Sequence, residues 1–93
     1  MNRLVLTAQL AERGAVRYTP AGLPALDLSL KHESEVTQDG QPRRVSVEIK
    51  ARAIGAITQR LAGLEIGSSH GFAGFLGSQR NGRGVVFHVT ELD

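Results

Sequence analysis

Eleven Lys and Arg residues against nine Asp and Glu leave a formal charge of only +2, yet the cations are unevenly placed. Between Arg43 and Arg60 five basic residues (Arg43, Arg44, Lys50, Arg52 and Arg60) face a single acid, Glu48. No acid lies between Glu65 and Glu91, where Arg80 and Arg83 sit, whereas Glu33, Glu35 and Asp39 gather acidic charge. Guanidinium and ammonium groups bind anionic oxygens through charge-assisted hydrogen bonds. The asymmetry predicts one positive surface, which on a small domain most often meets nucleic acid or another anionic partner. An ordinary solvated exterior is the alternative that charge alone leaves open.

Other chemistries find less support. His32, His70 and His88 are too dispersed, and too poor in neighbouring carboxylates, for a metal site. They read as surface or cross-strand residues, with His88 beside the basic loop and open to a phosphate or stacking contact. Ser68-Ser69-His70 brings a hydroxyl near an imidazole without a third group to orient the base. Asp27 and Glu48 are single outward carboxylates, and Gly82-Arg83-Gly84 lacks the following helix and Lys-Ser/Thr of a phosphate-binding loop. The absence of cysteine excludes disulfides and thiolate chemistry and fits a reducing compartment. No cofactor and no enzymatic activity are expected.

These side chains need strands beneath them. Leu4, Leu6, Ala8 and Leu10 alternate with Val5, Thr7 and Gln9, so residues 3–12 read as a first strand. Gly14 invites a bulge or bend, and residues 15–18 continue the strand to a turn. In Thr19-Pro20-Ala21-Gly22, Pro20 presets φ and Gly22 supplies the positive φ of a type II-like turn. Leu26, Leu28 and Leu30 then share one face of a second strand over 25–33, with Asp27, Ser29 and Lys31 on the other. After the Asp39-Gly40 hairpin signal, a third strand over 43–51 turns Val45, Val47 and Ile49 inward and Arg44, Ser46, Glu48 and Lys50 outward. Ile54, Ile57 and Leu61 recur at helical spacing over 53–62, ended by Gly63 or Gly67. A glycine-rich fourth strand over 70–77, a hairpin loop over 80–84 and a fifth strand over 85–90 complete the chain.

Three strands, a short helix and two strands match an all-β, five-stranded Greek-key OB-fold barrel, the helix lying between strands 3 and 4, as one domain over 1–93. At this length roughly 60 to 65% of the unfolded surface is buried, a thin core that dimerisation would supplement through strand one or its exposed edge. No apolar run approaches the roughly 20 residues of a membrane helix, and the N-terminus turns polar at Thr7 before a signal-peptide core develops. A cytoplasmic protein with no membrane contact is the expectation. In such a barrel the outward face of the third strand and the Arg80 to Arg83 loop lie on the side that single-stranded nucleic acid crosses, with Arg43, Arg44, Lys50, Arg80 and Arg83 as phosphate contacts. Aromatic stacking platforms are nearly absent: there is no Trp, Tyr18 is the only Tyr, and alternation places Phe72 and Phe87 in the core.

With these segments in place, the chain resembles the PriB family of primosomal replication proteins (protein N), relatives of bacterial single-stranded DNA-binding proteins. The specific landmark is Arg17-Tyr18-Thr19-Pro20-Ala21-Gly22-Leu23-Pro24 running through Leu30-Lys31-His32-Glu33-Ser34. Asn2-Arg3-Leu4-Val5-Leu6, Val47-Glu48-Ile49 leading to Ile54-Gly55, and Gly71-Phe72-Ala73-Gly74-Phe75-Leu76 add to it. The resemblance implies a homodimeric OB-fold that binds single-stranded DNA and assists replication fork restart by stabilising the restart helicase on DNA before handing over to a downstream loading factor. In that family the DNA-stacking Trp of strand three falls on Ser46, a preceding aromatic on Gln41 and the loop lysines near Arg80 and Arg83. The site expected from the resemblance therefore keeps its charged half as arginine and loses its stacking half. A protein-interaction module of the primosome with residual DNA binding is the alternative. A general strand-coating protein would carry a long tail with an acidic tip, and this sequence stops at Asp93.

Overall fold

The computed structural model describes residues 1–79 and 82–93. Its elements are β1 (Leu4–Arg13), β2 (Arg17–Tyr18), β3 (Pro24–Gln38), β4 (Gln41–Ile54), α1 (Ile57–Ala62), β5 (Ser69–Ser78) and β6 (Val85–Leu92). The strands run in the order β1-β5-β6-β4-β3-β2, and β1 also pairs with β3, which closes a five-stranded barrel with β2 appended at one edge. The long first strand serves both halves: Leu4 to Gln9 pair with β5, and Gln9 to Arg13 pair with β3. Its irregularity falls between Leu10 and Glu12 rather than at Gly14. Because β2 is a separate strand, the expected third strand is β4, and the helix lies between β4 and β5.

The leucine alternation builds the wall as expected. Leu26, Leu28 and Leu30 are buried with Leu10, Ala51, Ala53, Phe72, Phe87 and Val89, and Leu61 of α1 closes one end. Gly22 has φ 85°, and the turn is held by Gly22 N donating to Thr19 O at 2.8 Å. The helix is shorter than its spacing predicts, because Ile54 belongs to β4 and is exposed, leaving Ile57 and Leu61 to face the barrel. Arg13 donates to the carbonyls of Leu61 and Leu64, satisfying the end of that helix.

The β3–β4 hairpin is much longer than the sequence pattern indicates. Asp39 and Gly40 both take positive φ, 51° and 73°, the primed two-residue turn that suits strand twist. Pairing continues without interruption from Ala25↔Ile54 to Gln38↔Gln41. The outer half projects as an arm, giving extents of 49 × 30 × 21 Å. A Cα radius of gyration of 14.1 Å compares with the roughly 12 Å of a compact chain this long. Val45 and Val47 do share a face with Ala51 and Ala53, but Val47 is 44% exposed because the arm has left the core behind.

One glycine fixes the far side of the barrel. A Cβ at Gly74 would lie 1.7 Å from the backbone oxygen of His88. The β5–β6 register shifts between Ala73 and Gly74. The backbones approach too closely there for any side chain, and this sets which residues of β5 and β6 meet beyond it.

Candidate nucleic-acid interface

Directly partnered residues on neighbouring strands share a face, so the register can be followed across the barrel. Phe75 of β5 partners His88 of β6, His88 partners Arg52 of β4, and Arg52 partners Asp27 of β3. These four residues form one transverse row on the outer face. At its end Asp27 accepts from Arg52 Nε at 2.9 Å and from Arg17 Nη2 at 2.8 Å. Burial pushes the Asp27 carboxyl up, but the two arginine hydrogen bonds and their charges outweigh it and hold the group below the usual carboxylate range.

Beside this row lies a groove of about 540 Å³ lined by Arg13, Asp27, Lys50, Arg52, Gln79 and Val86 among others. Arg13 is committed to the helix carbonyls. Lys50 makes no ion pair among the described residues. Arg13, Arg17, Lys50 and Arg52 against Glu12 and Asp27 leave an excess of two positive charges at this end of the sheet.

The remaining expected site residues are dispersed. Arg43 and Arg44 point to opposite faces: Arg43 partners Val36 on the face of Val45 and Val47, whereas Arg44 partners Glu35 on the face of Ser46 and Lys50. Ser46 lies opposite Glu33, six residues from Arg52 along the strand, or about 20 Å. Among the described residues the basic stretch from Arg43 to Arg52 does not gather on one surface, because the hairpin aligns the acidic cluster with it. On the outer face of the arm, Lys31 and Arg44 stand against Glu33, Glu35 and Glu48, two cations against three acids. Arg83 lies in the β5–β6 loop, and Arg80 lies outside the described residues.

The histidines have local partners. His32 Nδ1 donates to Thr7 O at 2.6 Å and its Nε2 lies 2.8 Å from Ser34 Oγ. Ser68 Oγ donates to Glu65 O at 2.6 Å and lies 2.8 Å from His70 Nε2, so its proton is engaged with backbone. Among the described residues no group of three His, Asp or Glu is placed to hold a metal, and no helix is long and apolar enough to cross a membrane. His88 behaves differently, stacking on Phe75. Burial first, and then the Arg52 charge, push its imidazole below the usual histidine range.

Arg52, Asp27 and Phe75 belong to this row but were not among the contacts expected from the sequence. The first two were recoverable by counting: pairing Gln38 with Gln41 around Asp39-Gly40 brings Asp27 opposite Arg52 and Glu35 opposite Arg44.

A closed five-stranded barrel of this topology, with one short helix between β4 and β5, defines an OB-fold. The family described as "another single-strand binding protein family" matches residues 2–91. The replication restart protein PriB of Bordetella pertussis is 50% identical over 80 residues, covering 86% of this chain and 75% of the relative. The structure of PriB from Ralstonia solanacearum superposes with a TM-score of 0.92 at 32% identity, covering 100% of this chain and 96% of that one. The single-stranded DNA binding protein of Thermus aquaticus follows with a TM-score of 0.77 at 29% identity, covering 100% of this chain and 49% of that one. The chain belongs to this single-strand binding family, within its PriB group.

Proposed function

We propose that this protein binds single-stranded DNA in replication restart, with the strand crossing the groove face and its phosphates held by Lys50 and Arg52. The carrying observation is the groove itself, which has a net excess of positive charge and a lysine without an ion-pair partner among the described residues. Restart-protein relatives and the likeness to a single-stranded DNA binding protein support the reading. Arg44 and Ser46 on the arm contribute little. The protein acts as a homodimer that stabilises the restart helicase on DNA before a loading factor takes over. Val5, exposed on β1, lies on the strand expected to serve the dimer.

The second reading, a primosome interaction module with residual DNA binding, is favoured by one observation. The arm, with two cations against three acids on its outer face, offers little to phosphate, whereas Tyr18 and Val16 are exposed beside an apolar hollow of about 380 Å³ near the helix. Titrating a labelled oligothymidylate at several salt concentrations separates the two. With Z phosphates neutralised, log K falls with log salt at a slope of about −0.7Z, so Lys50→Ala/Arg52→Ala should flatten it by roughly 1.4. Affinity should fall about 10- to 100-fold at low salt, roughly 0.7–1.4 kcal/mol for each of two solvent-exposed hydrogen-bonded contacts. Unchanged slope and affinity, with intact stimulation of the helicase, would favour the interaction module.

A further inference from the structure

On the groove face, the rings of Phe75 and His88 stack with centroids 4.7 Å apart and planes 7° from parallel. Gly77, the next residue of β5 on that face, has no side chain, and the imidazole leans over it. A Cβ at Gly77 would come within 3.0 Å of His88 Nε2 and 3.1 Å of Cδ2. Phe75 is 42% exposed, while Phe72 and Phe87 are fully buried. The Phe75 ring is therefore reachable from solvent, which a stacking surface requires. Burial and the Arg52 charge disfavour the imidazolium, which favours the uncharged ring as a π surface.

An aromatic pair beside a guanidinium matches the two halves of a nucleotide, a flat base and an anionic phosphate. Building on the reading of the groove as the DNA face, we infer that Phe75 and His88 form a base-stacking platform that takes one unpaired nucleobase while Lys50 and Arg52 hold the adjoining phosphates. Each side chain has a separate part. Phe75 presents the exposed ring, His88 backs it and fixes its orientation, and Gly77 leaves the space that lets the imidazole lie flat. The position expected for stacking from the resemblance falls on Ser46, on the arm. The stacking surface of this chain has instead moved across the sheet to β5 and β6, at the opposite end of the row from Asp27. Any base fits such a platform, because every base has a π face, so the contact adds affinity without sequence preference.

The test compares binding of a labelled oligothymidylate with binding of an abasic oligonucleotide of equal length, for wild type, Phe75→Leu, Phe75→Ala and His88→Ala. Phe75→Leu keeps the apolar volume and removes only the ring, and its thermal melt checks that the barrel is intact. Both Phe75 variants should lose roughly tenfold in affinity for oligothymidylate, the scale of one stacked base. Their salt slope should be unchanged, because no phosphate contact is removed, and the abasic strand should bind them as it binds wild type. His88→Ala should show a smaller loss of the same kind. If the Phe75 variants bind oligothymidylate as wild type does, the platform is overturned while the groove reading stands. Equal losses on both oligonucleotides also overturn it, since the lost contact would then not involve bases. If wild type binds neither strand, the groove reading falls and takes the platform with it.

Discussion

The groove and the projecting arm both draw on the same two strands, β3 and β4, with the same alternation, yet they differ in what their charges face. At the groove end one carboxylate, Asp27, is shared by two arginines, and Lys50 is left without an ion pair among the described residues. Along the arm, Glu35 stands opposite Arg44 and Lys31 opposite Glu48, with Lys31 Nζ also 3.6 Å from Glu33 Oε1. Register therefore decides where the modest +2 charge of the chain becomes a usable field. A second contrast is backing. The groove lies on a closed wall with β5 and β6 beside it, whereas the arm is a two-stranded ribbon with exposed Val36 and Val47 and gains little from cross-strand pairs beyond about 0.2–1 kcal/mol each.

The largest effect is expected from breaking the register behind the groove. Gly74→Ala would drive a Cβ into the His88 carbonyl and should cost about 3 kcal/mol or more, seen as loss of the folded baseline or a much lower urea midpoint. The matched change on the arm, Gly40→Ala at φ 73°, should cost only about 1–2 kcal/mol in the same experiment. Equal losses would mean that the two regions are equally constrained.

Electrostatics gives the next effect. Asp27→Asn frees Arg17 and Arg52 for phosphate and should tighten oligothymidylate binding roughly three- to tenfold at low salt, the gain fading as salt screens it. Glu35→Gln on the arm should change affinity less than about twofold. A weakened Asp27→Asn variant would show that the carboxylate positions the arginines for DNA instead of competing with it.

The smallest effects are in pH. The Asp27 carboxyl is held below the ordinary aspartate value of 3.8, so its contribution is present above that pH and is lost as pH falls through the lower folded value. Acid urea titrations should show wild type losing stability there and Asp27→Asn losing less. The His88 imidazole is held below 6.5, so the unfolded chain takes up its proton first and stability declines as pH falls from 6.5 through the folded value. His88→Phe should flatten that decline, and a decline equal to wild type would remove His88 as its source.

The barrel was legible where one local signal was sufficient. Leu26, Leu28 and Leu30 announced a half-buried strand, Pro20 and Gly22 announced the turn, and Phe72 and Phe87 fell into the core by alternation. The site was less legible because it depends on partners far apart in sequence. Arg43 and Arg44 look like a pair in the chain, but alternation sends them to opposite faces. Arg52 looked like one cation among five until the turn at Asp39-Gly40 set it opposite Asp27. Phe75 and His88 meet only because the register shift at Gly74 brings them level, and no local pattern encodes that shift.

Amide chemical-shift mapping with an added oligothymidylate tests the central claim, that the groove and not the arm is the DNA face, most directly. The perturbations should gather at Asp27, Lys50 to Arg52, Phe75 to Gly77 and Val86 to His88, fading as salt is raised. Perturbations concentrated at residues 33–46, with those groove amides unmoved, would contradict it.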